Sequence, residues 1–275
     1  SSNRRQRQMC IRDSIKDDRC ILAEKLVRKA GKLGLDYFNR IDELQIDRKG
    51  HQDFVSEADR ALEGVIRDGI TAAFPKDAIL GEEVGYSAGL SDYVWVIDPI
   101  DGTTNFVSGI PTWVVVVALV RNSRVIAGFI YDPIMDVMYS GYDGGGAFRN
   151  GVQMSVVANA DIKAGSIAVG FSNSSKPGFI GALISSITSE GGMFFRNASG
   201  ALSLAYVADG KLIGYSKDHM HPWDFLAGQL MVREAGGKIE IQDIEEMLRQ
   251  GGRVVASSPA VFDKLLELTV SASAS

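Results

Sequence analysis

Cysteine is nearly absent: Cys10 and Cys20 are the only two in 275 residues, both near the start and neither at a metal-type spacing. That excludes a disulfide-stapled scaffold and a thiolate metal centre, and a reducing compartment is the simplest reading. Histidine is almost as scarce. Of the three, His219 and His221 are neighbours while His51 lies far off in sequence, which is too thin a set for a zinc site. Long apolar runs are missing too: the longest, Trp113 to Val120, falls far short of the ~20 residues a bilayer span needs and reads as a central strand. Positive charge is not in surplus either. With 29 Lys+Arg against 34 Asp+Glu the net charge is -5, which disfavours nucleic acid as a partner. No internal repeat or flexible linker divides the chain, and 45% hydrophobic content supports a large core. The expectation is a cytoplasmic protein with no membrane contact.

The ends carry little. Residues 1–14 hold Arg4, Arg5, Arg7 and Arg12 without an apolar segment, which argues against a secretory signal and leaves an organellar transit peptide or a non-native leader open. Ser271-Ala272-Ser273-Ala274-Ser275 reads as a low-complexity tail with nothing to bury. Residues 1–14 and 271–275 are therefore expected to be disordered or non-native tails.

The informative stretch is Trp95-Val96-Ile97-Asp98-Pro99-Ile100-Asp101-Gly102-Thr103-Thr104-Asn105-Phe106. Three apolar residues run into Asp98, a buried strand with a carboxylate at its end. Pro99 and Gly102 then predict a tight loop across which Asp98 and Asp101 face each other. Two carboxylates that close repel, and each is driven toward neutrality unless a cation lies between them. Oxygen-only donors suit a hard cation such as Mg²⁺. Gly102-Thr103-Thr104-Asn105 adds consecutive N–H groups and two hydroxyls that can cradle a phosphate. An ordinary Asx turn would not require the second aspartate at the end of an apolar strand.

Apolar spacing predicts a helix from Ile15 to Phe38, and a second from a Ser56 cap to Phe74 with Asp59 in its first turn. A strand over Ala78–Leu80 leads into Gly81-Glu82-Glu83, and Gly85–Ser91 reads as a mobile loop. A meander follows, with strands at Thr112–Arg121, Val125–Tyr131 and Val137–Tyr142 and a turn at Gly144-Gly145-Gly146. Strands at Ser166–Val169, Met193–Phe195, Leu212–Tyr215 and Val254–Ala256 then alternate with helices at Pro177–Ser189, Ser199–Ala208, Trp223–Ala235 and Pro259–Leu268. The pattern predicts a layered α/β (α+β) architecture. Pro222 suits a first helical turn, which puts Asp224 near a helix N-terminus, where capping alone could account for it.

Asp98-Pro99-Ile100-Asp101-Gly102-Thr103-Thr104-Asn105-Phe106, with Gly81-Glu82-Glu83 upstream and Pro222-Trp223-Asp224-Phe225 downstream, resembles the motif set of the inositol monophosphatase family, magnesium-dependent and lithium-sensitive phosphatases. The resemblance implies the αβαβα sandwich of the sugar phosphatase superfamily. It implies one domain over residues 15–270, meander-rich to about 155 and alternating from 156, and a homodimer. It assigns metal ligation to Glu82, Asp98, the Ile100 carbonyl, Asp101 and Asp224, for two or three Mg²⁺ ions. Asp59, Thr103 and Glu82 take catalytic roles, with Asp59 and Thr103 orienting the attacking water and Glu82 bridging toward a third, weaker ion. Glu83, Lys49 and Asp53 sit one layer behind the ligands, and Asp53 and Asp59 match an Asp-x-Val-(Thr/Ser)-x-x-Asp element. Gly102, Thr103, Thr104, Ser199, Gly200 and Lys217 meet the substrate.

The implied partner is a small phosphorylated substrate, inositol 1-phosphate first, with fructose 1,6-bisphosphate, histidinol phosphate and 3'-phosphoadenosine 5'-phosphate as alternatives. A non-catalytic metal-binding regulator is the rival of another class; it would be expected to lack an acidic ligand, and none is missing. Two departures stand out. The order Ala198-Ser199-Gly200-Ala201 replaces a common Gly-Ser-Ala-Ala, and Lys217 stands where inositol-preferring members often have glutamate. Whether Lys217 faces the substrate, or points to solvent while Asp218 takes that role, stays open at this stage.

Overall fold

Side chains alternate across a strand, so an apolar run with no polar break must be covered on both faces. The structure, a computed structural model, bears this out at β6 (Val114–Arg121) and its neighbour β5 (Tyr93–Asp101). It describes residues 17–43, 46–50, 53–172 and 175–274, with the backbone alone at 43, 46–50 and 53–56. Trp95, Ile97, Val115 and Val117 pack against Ala23, Leu26, Val27 and Ala30 of α1 (Asp18–Phe38) and Leu62, Ile66 and Ile70 of α2 (Glu57–Ala73). From the opposite face Val96, Val114, Val116 and Ala118 meet α5 (Gly200–Ala208) and α6 (Pro222–Glu234).

These strands belong to an eight-stranded mixed sheet in the order β10-β9-β8-β7-β6-β5-β3-β4. Its other members are β3 (Ala78–Gly81), β4 (Gly85–Ser87), β7 (Arg124–Asp132), β8 (Val137–Tyr142), β9 (Gly146–Arg149) and β10 (Val152–Gln153). Only β3 and β5 run parallel within it. A five-stranded mixed sheet, ordered β12-β11-β13-β15-β14, holds β11 (Ser166–Val169), β12 (Met193–Phe195), β13 (Gly214–Met220), β14 (Lys238–Ile239) and β15 (Gly252–Ser257). Tyr215, Val254 and Ala256 face α5 and α6, while Ile167, Val169 and Val255 face α4 (Phe179–Ser189) and α8 (Phe262–Ala274). The layers are therefore helix, sheet, helix, sheet, helix: the αβαβα sandwich. A separate two-stranded ribbon pairs β1 (Ile46–Gly50) with β2 (Asp53–Ser56).

Several boundaries differ from the sequence reading. Helix α1 starts at Asp18, where the Asp17 carboxylate accepts the Arg19 N–H at 2.8 Å. The expected 85–91 loop is partly strand, because β4 pairs antiparallel with β3 and the amides of Leu90 and Ser91 donate to the Lys76 carbonyl. Strand β13 runs on to Met220 instead of ending at Tyr215; its polar run Ser216-Lys217-Asp218-His219 hides the strand from pattern reading. Outside the sequence reading lie β14, only two residues long, and α7 (Ile244–Gln250), a short helix whose Ile244, Met247 and Leu248 recur at i, i+3 and i+4 behind the Asp243 cap. Over residues 271–274 the tail reading is corrected: α8 continues through Ala274, Ala272 is buried, and Lys176 Nζ donates to the Ser273 carbonyl, while Ser275 lies outside the described residues. Alanine is the best helix former, and Ala272 continues the stripe of Leu265 and Leu268. Residues 1–14, His51 and the Lys49, Asp53 and Ser56 side chains lie outside the described residues.

Candidate active site

The site begins with an irregularity in β5. Asp98 pairs with Val116 and Asp101 with Val114, so three steps along β5 oppose two along β6. One extra residue is a β-bulge, and Pro99, which has no N–H to give a ladder, is suited to it. The consequence is geometric. At odd spacing in a regular strand the two aspartates would point to opposite faces; the bulge brings both to the face covered by α5 and α6, and leaves Ile100 on the other face among the α1 and α2 side chains. The expected tight loop is thus corrected to a strand that bulges and continues to Asp101.

Both aspartates are buried, Asp98 at 1% exposure and Asp101 at 9%. Asp98 Oδ1 accepts the Ile100 N–H at 3.0 Å, and Thr103 Oγ1 donates to the Ile100 carbonyl at 3.0 Å. Gly102 follows at φ 103°, a left-handed conformation that suits glycine, and begins α3 (Thr103–Val107). Asp101 meets the start of α5: Oδ2 accepts Ser199 Oγ at 2.6 Å and the Ala201 N–H at 2.7 Å, and Oδ1 the Gly200 N–H at 3.3 Å. Ser199 and Gly200, expected on the substrate, line the cleft but direct these donors to Asp101.

Glu82 arrives by a different route. Its N–H donates to the Ile97 carbonyl, prolonging the β3–β5 pairing by one step. Its turn is held from behind by Glu63 of α2, fully buried, whose carboxylate accepts the N–H groups of Glu83 (2.7 Å) and Val84 (3.2 Å) and Arg67 Nε (2.6 Å). Arg67 also donates to Ser87 Oγ at 3.0 Å and to the Gly85 carbonyl. Glu83 stands beside Glu82 and contributes its main-chain N–H to this anchor. Asp59, 1% exposed in the first turn of α2, and Asp224, in the first turn of α6, complete the acidic group.

Electrostatics tie these side chains together. The carboxyls of Glu82 and Asp98 are close enough that the charge on one raises or lowers the cost of charge on the other. Burial pushes Glu82 well above the usual carboxylate range, helped by the charge of Asp224; for Asp98 burial is again first, with Glu82 and Asp101 next. Asp101 is raised to about 6 by burial and then by Asp224, against the pull of its three donors. Asp224 is raised by burial and drawn back by Lys217. The group is short of positive charge, which is the condition a bound cation relieves.

Among the described residues no three His, Cys, Asp or Glu side chains form a cage that could hold an ion unaided. The donor set nevertheless fits Mg²⁺, which takes hard oxygen ligands and draws much of its shell from water and substrate. Glu82, Asp101, Thr103, Arg196, Lys217 and Asp224 line a cleft of about 740 Å³. A second cavity of about 590 Å³, lined by Glu24, Arg28, Asp136 and Tyr142 among others, contains none of the expected site residues.

The roles of Glu63, Arg67 and Asn197 escaped the sequence reading, as did the bracing role of Asn105, which was read only as part of the phosphate-cradling turn. Asn105 Nδ2 donates to the carbonyls of Thr112 and Asn197, both at 2.7 Å, and so ties the aspartate strand to the entry of α5. Asn197 Oδ1 accepts Ser199 N–H and Ser203 Oγ, while Ala198 between them is held at φ 61°. Only Asn105, inside the motif, gave a signal. Glu63 and Arg67, at i and i+4, look like any solvated helix pair.

A layered αβαβα fold whose two halves meet at a bulged acidic strand defines a phosphatase-type architecture. Residues 16–274 match the model of the inositol monophosphatase family, and the chain belongs to that family of phosphatases. It is 35% identical to Nus factor SuhB of Escherichia coli K12 over 249 residues, covering 89% of this chain and 93% of that one. It is 36% identical to an inositol-1-monophosphatase of Mesorhizobium japonicum over 242 residues, 87% of this chain and 91% of that one. Among solved structures, the extragenic suppressor protein suhB of Bartonella henselae superposes with TM-score 0.86 at 32% identity, covering 92% of this chain and 98% of its own. A Thermotoga maritima IMPase gives 0.83 at 30%, covering 93% and 98%.

Proposed function

We infer that this chain is a Mg²⁺-dependent phosphomonoesterase for a small polyol or sugar phosphate, with inositol 1-phosphate as the first substrate to test. The observation that carries the reading is the convergence of Glu82, Asp98, Asp101 and Asp224 toward one cleft, with shifts that a cation would reverse. These four, with the Ile100 carbonyl, would hold the metal. Bound there, Mg²⁺ supplies positive charge to phosphate oxygens and lowers the pKa of a coordinated water.

The protein's own groups do the rest. Gly102, Thr103 and Thr104 present N–H groups, and Thr104 its hydroxyl, to the phosphate at the start of α3. Thr103 Oγ1, its own proton given to the Ile100 carbonyl, would accept a hydrogen bond from the water, and buried Asp59 would orient it and take up its proton. A water held there would attack phosphorus in line as the P–O bond to the alcohol breaks, the leaving oxygen taking the proton back, so no phosphoenzyme is needed. The active form is a homodimer in this reading. Phosphate release from inositol 1-phosphate should require Mg²⁺, stop in excess EDTA and be inhibited by Li⁺; full activity in EDTA would end the reading.

A further inference from the structure

Lys217 is no ordinary surface lysine. It is 8% exposed, yet it lines the cleft, and among the described residues its ammonium makes no hydrogen bond or close ion pair. Strand alternation explains how it got there. Tyr215 and Lys217 share the inward face of β13, whereas Ser216 points outward and hydrogen-bonds Thr269 Oγ1 at 2.7 Å. Asp218, the alternative left open by the sequence, is engaged elsewhere: its Oδ2 accepts the Lys176 N–H at 2.7 Å. The Lys217 stem lies over Gly170, where an added Cβ would sit 2.6 Å from Lys217 Cδ and 2.8 Å from its Cβ. A side chain lodged this way holds its charge in place before any ligand arrives, so little rotamer freedom is left to lose on binding.

A cation fixed at the wall of a cleft without a close ion pair is placed to receive an anion there. The opposing charge acting on Lys217 is Asp224, and the proposed function commits Asp224 to the metal. Arg196 stands exposed in the same cleft, likewise without a hydrogen-bond partner among the described residues. With substrate and metal in place, the alcohol side of the cleft therefore carries unmatched positive charge. An ammonium donates hydrogen bonds and cannot accept them, so a neutral polyol would leave that charge uncompensated.

We propose that Lys217, assisted by Arg196 at the rim, forms an anion subsite that selects phosphomonoesters whose alcohol portion carries a second negative group, a carboxylate or another phosphate. This rests on the phosphatase reading and narrows its substrate class.

The test uses matched pairs. Glycerol 2-phosphate and 2-phosphoglycerate differ by one carboxylate, and fructose 1-phosphate and fructose 1,6-bisphosphate by one phosphate. For the parent, kcat/KM should favour the more anionic member of at least one pair about tenfold, mostly through KM, and which pair responds tells carboxylate from phosphate. Lys217→Met should bring that ratio to within about twofold of unity, and Lys217→Glu should invert it. Arg196→Gln should reduce it partially. Ratios near one in both pairs for the parent, or a preference that Lys217→Met leaves unmoved, would overturn the subsite while leaving the phosphatase reading intact. Release from inositol 1-phosphate but from none of the four would overturn the subsite alone, and failure on all five with Mg²⁺ present would overturn both.

Discussion

The Glu63 anchor behind Glu82 makes a quantitative demand. Glu63→Ala removes the acceptor of two main-chain N–H groups and the partner of Arg67, whose side chain is only 11% exposed. Breaking one side of a buried ion pair costs ~3–5 kcal/mol. Arg67 keeps Ser87 and the Gly85 carbonyl, which places its share at the low end, while each orphaned amide adds ~1 kcal/mol or more. The total, about 5 kcal/mol, is a large part of the ~5–15 kcal/mol that holds a domain folded. Glu63→Gln keeps shape and one acceptor, so about 2 kcal/mol is expected and the protein should fold. Urea unfolding in EDTA measures that loss. The more specific readout is Mg²⁺ demand: a loosened Glu82 turn should raise the Mg²⁺ concentration for half-maximal phosphate release about tenfold in Glu63→Gln, with kcat at saturating Mg²⁺ changed less. Asp77→Asn is the control. Asp77 accepts Arg19 Nε at 2.7 Å, Ser91 Oγ at 2.6 Å and Trp95 Nε1 at 2.9 Å, an anchor of similar size away from the Glu82 turn. It should lose comparable stability without altering Mg²⁺ demand. Equal shifts in the two variants, or none in Glu63→Gln, would refute the anchoring argument.

Asp101→Asn should lower turnover at least a hundredfold while the melting temperature stays within a few degrees, because relief of carboxylate repulsion offsets weaker acceptance from Ser199 and Ala201. Near-parent rates at low Mg²⁺ would remove Asp101 from the ligand set. Stability in EDTA should fall as pH rises: Asp101 moves from an ordinary 3.8 to about 6 on folding, so the folded state binds the proton more tightly, and the stability present below 3.8 is lost by about 6. Two units correspond to ~3 kcal/mol for that group. Burial raises Glu82, Asp98 and Asp224 in the same direction. Melting curves between pH 5 and 7 check this; a rise across that window in EDTA, or a fall that Mg²⁺ leaves unchanged, would contradict it.

Much of the molecule could be read from residue order. The layers followed from apolar period, since Trp95, Val96 and Ile97 had to be covered on both sides. The three motifs named the acidic residues because ligand chemistry restricts residue type at fixed spacing. What stayed hidden were relations between distant backbones. No local pattern says that Asp98 and Asp101 share a face, because the bulge is defined only against β6. Glu63 looks solvated until the Glu82 turn is folded over it, and β13 is polar where it borders the cleft. The alternating small residues after Leu268 looked like a tail because Ala272 has little side chain to advertise its burial.

The acidic residues are drawn from places far apart in the chain. Asp98 and Asp101 come from the first sheet, the donors that restrain Asp101 from the start of α5, and Asp224 from α6 beyond it. During synthesis, then, no segment that emerges before Asp224 can complete the acidic group. Assembly of the layers has to come before the site is whole. Turnover therefore reports on completed assembly, and a chain interrupted before residue 224 would leave the early carboxylates without their last companion.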